Sequence, residues 1–489
     1  MPSTAEPIIA HVQQEFQDLV AYVTGAVTRA STAYEAEVTL FRRLLALGAA
    51  LLRLFFVTRA AVRPAGPVVG PDGTPLAYHD RRRTTYYSVF GKLTFERHAF
   101  TASGQPVVCP LDAALSLPAR CYSDLLREWM SYGATDESYR ESQTVLERIL
   151  GQALSLQALE TAVAEAAGDV GAFYGQPPAP AAPAGAGTIV VAQADGKGVP
   201  LVPATPPARP ARRGKGHPPA TKEAVVTALY TIAPYRRTPA DVAAALLREA
   251  GRPQPAARPR PIGKEVRATL AGKETALTRA AQRAAQREHP AIQHRVALTD
   301  GAEALQQQMV THLPDYTLVL DIVHATEYLW EAANALLGER HPDRTAWVRG
   351  HLAPLLAGQT AAVITALESG AADPALTATQ RQAVERAVGY YRRNQPYMRY
   401  DDYLARGWPI GTGVVEGACG HLVKDRLQQA GMRWTQAGAQ AVLDLRAVRL
   451  NGDWDAYWEF HRRHCHQRRY GAATALPAPA EHQALALAA

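Results

Sequence analysis

Three short apolar runs, 188–194, 294–299 and 316–320, each stop on an aspartate: Asp195, Asp300 and Asp321. Runs of that length bounded by polar residues suit buried strands. A fourth run, 224–232 (AVVTALYTI), reads as another strand, and helical patterns at 242–249, 275–287 and 302–310 lie between them. Strands alternating with helices predict an α/β sheet. In such sheets ligands collect at the carboxyl ends of adjacent strands, so acids that end strands are candidates for a shared site.

A fourth acid stands apart from the strands. Glu416 follows a glycine-rich turn, 409–413 (PIGTG), and opens a helix; Lys424, Arg426, Arg433 and Trp434 come behind it. Alone, a carboxylate there would only complement the helix dipole. Together with Asp195 and Asp300 it makes three separated carboxylates, two at strand ends and one on a helix. That is the set a two-metal phosphodiester site needs, and magnesium, which keeps several of its waters, asks for few protein ligands.

The chain of 489 residues is long enough for two to four domains, and its +7 net charge and pI of about 9.2 favour a polyanionic partner. The charge is concentrated. Residues 201–222 hold Arg209, Arg212, Arg213, Lys215 and Lys222 with no acid, and 252–273 hold six cations against Glu265 alone. Both stretches read as loops that touch phosphate backbone. Four cysteines without a CxxC pair exclude a disulfide scaffold and argue against a zinc ribbon, which suits a reducing cytosol. No charged-then-apolar leader opens the chain, and the apolar segment 44–57, interrupted by Arg53, is expected to be a buried or dimer-forming helix rather than a membrane span.

The organisation follows from these patterns. Residues 1–175 are expected to form a mostly helical region with a β-hairpin at 84–100, centred on Gly91, and a helix-turn-helix-like pair at 137–150 and 154–167 that could bind DNA ends. A Pro/Ala/Gly linker occupies 176–187. The catalytic core begins at 188–324, is interrupted by a helical insertion at 325–405, and is completed by 406–465. A flexible tail fills 466–489.

Several ordered segments resemble the DDE transposases of the mutator-like superfamily, within it the Kra-type bacterial insertion-sequence enzymes. They are 194–200 (ADGKGVP), 225–243 (VVTALYTIAPYRRTPADVA), 298–305 (LTDGAEAL) and 414–434, with 109–115 (CPLDAAL) resembling the family's N-terminal region. The resemblance spans most of 85–460 and implies a ribonuclease-H-like core in which Asp195, Asp300 and Glu416 are the catalytic and metal-binding triad. Asp321-Ile322-Val323-His324 resembles the [C/D]xxH element of mutator-like enzymes, which favours Asp300 for the triad and gives Asp321 and His324 supporting roles. Relatives carry paired cysteines near the segment around Cys109; with one cysteine remaining, no zinc is expected there.

What the resemblance implies is a DNA transposase that binds element ends, then cleaves and transfers strands with two Mg2+ ions, or Mn2+ in their place. Its partners would be double-stranded transposon ends and target DNA, and a second copy of the chain or a higher assembly, in the cytoplasm at the nucleoid and without a membrane. Arg209, Arg212, Arg213, Lys215, Lys424, Arg426, Arg433 and Trp434 are the expected nucleic-acid contacts. The alternatives are a metal-dependent nuclease of the same fold and a domesticated DNA-binding protein.

Overall fold

The computed structural model describes residues 5–64, 66–70, 72–176, 187–202, 221–249 and 257–471. Most of the 176–187 linker, the loop bearing Arg209, Arg212, Arg213 and Lys215, and the segment beyond Gly471 lie outside the described residues. The fold is mixed α/β, and the chain divides into two compact units. One joins Met1–Phe173 to Trp454–Ala489; the other is Tyr174–Asp453. The break at Tyr174 falls beside the expected linker, but the C-terminal boundary differs from expectation. Helix Trp454–Tyr470 belongs to the first unit and continues past residue 466, where a tail was expected to begin. It is anchored rather than frayed because Tyr457 and Trp458 are buried and the Tyr457 hydroxyl donates to the Ala166 carbonyl.

In the first unit, helices Glu6–Thr24 and Ala33–Ala61 pack against each other. The second is long and apolar enough to cross a membrane by length and composition. Here one side of it meets a sheet, with Phe56 stacked on Phe95 at 4.2 Å. That sheet is β1 (Val68–Val69), β2 (Pro75–Ser88) and β3 (Gly91–Thr101), all antiparallel. The hairpin is longer than the sequence suggested, and Gly91, at φ 118°, closes its turn where a side chain would be strained. Helices Asp124–Asp136, Tyr139–Leu150 and Leu156–Ala167 follow, and the expected helix pair forms within them. Leu126, Met130, Leu146, Leu150 and Leu159 make their common core.

The second unit is built on a five-stranded sheet. Its strands are β4 (Ile189–Pro200), β5 (Thr221–Ile232), β6 (Ile262–Thr269), β7 (His294–Thr299) and β8 (Thr317–Leu320), in the order β6-β5-β4-β7-β8. β5 runs antiparallel to both its neighbours, while β4, β7 and β8 are parallel. Strand β6 corrects the expectation of a basic loop at 252–273. Its cations mask a two-faced strand: Val266 and Ala268 are buried, and buried Glu265 is held by Arg283 at 2.8 Å and Arg287 at 3.2 Å.

The sheet is covered on both faces. Ile189, Val191, Val296, Leu298 and Val319 point to one side, into a core shared with helices Ile322–Leu337, Arg344–Leu356, Thr360–Ala371 and Ala378–Asn394. These helices occupy the block expected at 325–405. Val190, Ala192, Ala194, Ala297 and Leu318 point to the other side, against helices Lys273–Ala285 and Glu303–His312.

Candidate active site

The register of the parallel strands places three aspartates in one row. Gln193 pairs with Leu298 across β4 and β7, and Thr299 pairs with Leu320 across β7 and β8. Two residues further along sets Asp195 level with Asp300, and one further sets Asp300 level with Asp321. Side chains alternate along a strand. Asp195 therefore shares a face with Val191, Asp300 with Leu298 and Asp321 with Val319, the face under the helical block.

Glu416 reaches this row on a loop that crosses it. The Ile322 N–H donates to the Ile410 carbonyl at 2.9 Å, and the Thr412 N–H to Asp321 Oδ1 at 3.2 Å, tying the loop to the end of β8. At the other side Gln193 of β4 donates to the Gly411 carbonyl at 3.2 Å and accepts the Val415 N–H at 2.9 Å. Helix Gly413–Ala418 starts from that anchor. The Thr412 hydroxyl donates to Glu416 Oε1 at 2.5 Å, and three residues on the Cys419 thiol donates to Asp195 Oδ2 at 3.3 Å. Burial, with the charges of Asp195 and Glu416 adding to it, drives the Cys419 thiol pKa far above its ordinary value. One helical segment thus brings Glu416 to the neighbourhood of Asp195.

Asp321 plays a different part from Asp195 and Asp300. It is fully buried and caps helix Ile322–Leu337, taking the Val323 and His324 N–H groups as well as that of Thr412. Its Oδ2 also faces His324 Nδ1 at 2.6 Å. One ligand atom from each of Asp321, His324 and Glu416 lies within 4.8 Å of the others. The Asp321 carboxylate thus has four partners and holds the His324 ring through Nδ1, the carboxylate–histidine arrangement that orients rings at ion sites.

That hydrogen bond pushes His324 up to about 9, against burial, with the charges of Asp321, Glu327 and Asp300 adding to the shift. A histidine raised in the folded state stabilises fully below its unfolded pKa and loses that contribution as pH rises through the folded value. Thermal stability should therefore fall between about pH 6.5 and about pH 9 more steeply in the wild type than in His324→Gln. In an NMR titration Asp321→Asn should return the ring towards its ordinary value; an unmoved ring would show that this pair does not set the charge.

Asp300 is half-buried, with Oδ1 accepting the Ala302 N–H at 3.0 Å. Its turn is clamped by helix Ala378–Asn394: Tyr390 donates to the Asp300 carbonyl at 2.9 Å and Arg393 to the Gly301 carbonyl at 2.8 Å. Gly301 sits at φ 94°, and a Cβ there would lie 2.8 Å from the Tyr390 hydroxyl. Gly301→Ala should cost on the order of 2 kcal/mol or more from backbone strain and overpacking, measured by urea unfolding; an unchanged midpoint would show that the clamp yields.

The expected nucleic-acid contacts divide. Lys424 and Arg433 are exposed. Arg426 is completely buried, with its guanidinium 4.8 Å from the Trp434 ring centroid, and the buried Trp434 indole donates to the Leu427 carbonyl at 3.2 Å. That pair is an interior cation–π contact, which corrects its assignment to a DNA surface. Trp434 lies beyond the helix, bridged to Leu201, and Arg426 follows the π-helical turn Cys419–Lys424. That turn inserts a residue into the helix, so helical positions just after it rotate away from the face a continuous α-helix would give them.

Sequence reasoning missed Gln193, Thr412, Cys419 and Tyr390. Gln193 alone left a signal, a polar side chain inside an apolar strand. The others acquire their roles only through contacts distant in sequence.

No family model matches the chain. A segment of 93 residues, 18% of the chain, is 36% identical to a protein of Streptococcus gallolyticus described as "UPF0236 protein in vanSb 3'region". The match covers 20% of that relative, so the chain spans about a fifth of its length.

Proposed function

We propose that this chain is a DDE-type DNA transposase with a ribonuclease-H-like core, Asp195, Asp300 and Glu416 forming its active site. The observation that carries this reading is how the acids are carried: Asp195 and Asp300 stand at level positions on and just past adjacent parallel strands, and the loop that leads into the Glu416 helix is anchored on Gln193 and Asp321 beside them. The strand order lends further support, since a second strand antiparallel to the other four is what a ribonuclease-H-like core requires.

The donor set fits hard divalent ions. It consists of carboxylate oxygens, none of the three carboxylates is buried, and none forms an ion pair among the described residues. Magnesium or manganese ions bound to Asp195, Asp300 and Glu416 would polarise the phosphate, activate the attacking oxygen and stabilise the leaving one. The remaining work falls to the protein. Thr412 holds one Glu416 oxygen, Cys419 holds one Asp195 oxygen, and Asp321 fixes the imidazolium of His324 beside the row. That ring carries positive charge towards a scissile phosphate. Exposed Lys424 and Arg433 supply backbone contacts, which position DNA without reading its sequence.

The DNA flanking the coding sequence tests the mobile-element part of this reading. Inverted repeats and a short target duplication are expected at its borders, and purified protein should shift duplexes carrying those repeats at lower concentration than random duplexes. Borders lacking repeats, with no preference between duplexes, would leave the metal-dependent nuclease as the better account of the same acids.

A further inference from the structure

A second cluster of metal-binding side chains lies far along the sequence from these acids, in the unit formed by Met1–Phe173 and Trp454–Ala489. Helix Trp454–Tyr470 carries His461, His464 and Cys465, spaced so that all three share one face. Asp169, immediately before the short helix Val170–Tyr174, points at that face. Its Oδ2 lies 2.7 Å from His461 Nδ1, and its Oδ1 lies 2.8 Å from His464 Nδ1. The Cys465 sulfur is 3.8 Å from that same His461 Nδ1 and 3.9 Å from Asp169 Oδ2. The side chains of Asp169 and His461 are 4% and 2% exposed, so the cluster is built into the interior.

We propose that Asp169, His461 and Cys465 bind a zinc ion. One ligand atom from each lies within 4.8 Å of the others. Tetrahedral zinc, with bonds of roughly 2.0–2.3 Å, sets its ligand atoms about 3.3–3.8 Å apart, so the Asp169–His461 hydrogen bond opens slightly and the sulfur hardly moves. A thiolate, an imidazole and one carboxylate form a borderline-soft set that favours zinc over magnesium. His464, on the other carboxylate oxygen, orients Asp169 from outside, as partners of metal-bound carboxylates do.

Arg468 identifies the place of the cation. Its guanidinium bonds both Asp169 oxygens, with Nη2 at 3.0 Å from Oδ2 and 3.1 Å from the Cys465 sulfur. A positive group already sits between the carboxylate and the thiol. The Arg468 side chain is half exposed and can withdraw to solvent, leaving the buried Asp169 carboxylate with a charge that a metal compensates. Zinc and Arg468 are therefore competitors. A zinc ion here would tie the last helix to the segment after Ala167 and lock the two ends of this unit together.

The test uses the purified full-length protein loaded with zinc and dialysed against a weak chelator. Metal content should be about one equivalent in the wild type and in Cys419→Ser. It should drop at least tenfold in Cys465→Ser and rise in chelator resistance in Arg468→Gln. Cobalt in place of zinc should give a thiolate charge-transfer band that Cys465→Ser removes and Cys419→Ser retains. Zinc should also slow alkylation of Cys465 in the wild type roughly tenfold, followed by mass spectrometry, which needs no variant to fold. Zinc lost instead in Asp195→Ala or Glu416→Ala, or an unchanged alkylation rate, would overturn the assignment.

Discussion

Asp195→Ala and Glu416→Ala should each lower metal-dependent DNA cleavage roughly a thousandfold or more, equivalent to about 4 kcal/mol of barrier, while leaving duplex affinity within a factor of two or so. Asp195 and Glu416 sit on separate elements, a strand and a helix, and meet through Cys419 and the Gly411–Val415 anchor on Gln193. On the proposed reading, removing either carboxylate takes an oxygen ligand from the ions and leaves the exposed Lys424 and Arg433 in place to meet phosphate. Affinity is dominated by those cations, so binding and cleavage should separate. Neither acid is buried, and truncation should leave the fold intact. A gel-shift titration beside a single-turnover cleavage assay measures both. A variant that still cuts in magnesium near the wild-type rate would remove that acid from the site.

Asp300→Asn and Asp321→Asn should fail in opposite ways. Asp300 is half-buried, and its carboxylate makes one bond to the backbone of its own turn, so asparagine keeps the fold and loses the charge that an ion requires. Activity should vanish at unchanged stability. Asp321 is completely buried and accepts from three N–H groups and faces one imidazole. Asparagine must turn two donors towards some of those partners, which should cost about 1–3 kcal/mol. It also releases His324 and the loop that carries Glu416. Activity should remain measurable, reduced about 10–100-fold as for groups that orient ligands. Urea unfolding and cleavage rates on the same two proteins distinguish the roles, and the reverse order would move the ligand position to Asp321.

The strands that carry Asp195, Asp300 and Asp321 are legible in the sequence because a strand buried on both faces leaves an uninterrupted apolar run. Strand β6 was hidden by the opposite circumstance. It pairs with β5 alone, and although Lys264 is exposed, Glu265 is buried in ion pairs with Arg283 and Arg287 rather than facing water. The ranking of Asp300 and Asp321 was not accessible to strand logic, since both end a run. What separates them is the loop from Ile410 to Thr412, which arrives from a distant part of the chain and buries one carboxylate but not the other. Buried Arg426 shows a third limit. A single π-helical turn changes which residues face outwards, and nothing in local composition announces it. The boundary near 466 failed for a related reason: the last helix is held by Asp169 and Ala166, contacts about 290 residues away.

The proposed role of Asp195, Asp300 and Glu416 is to cut and rejoin DNA. A labelled duplex carrying the border sequence of the gene, incubated with the purified chain and magnesium, tests it most directly. The expected result is a strand break at the border, leaving a 3′-hydroxyl end that becomes joined to a second duplex, with both products lost on chelation and in Asp300→Asn. Breaks that persist unchanged in Asp300→Asn, or a border duplex left uncut in magnesium and in manganese, would contradict it.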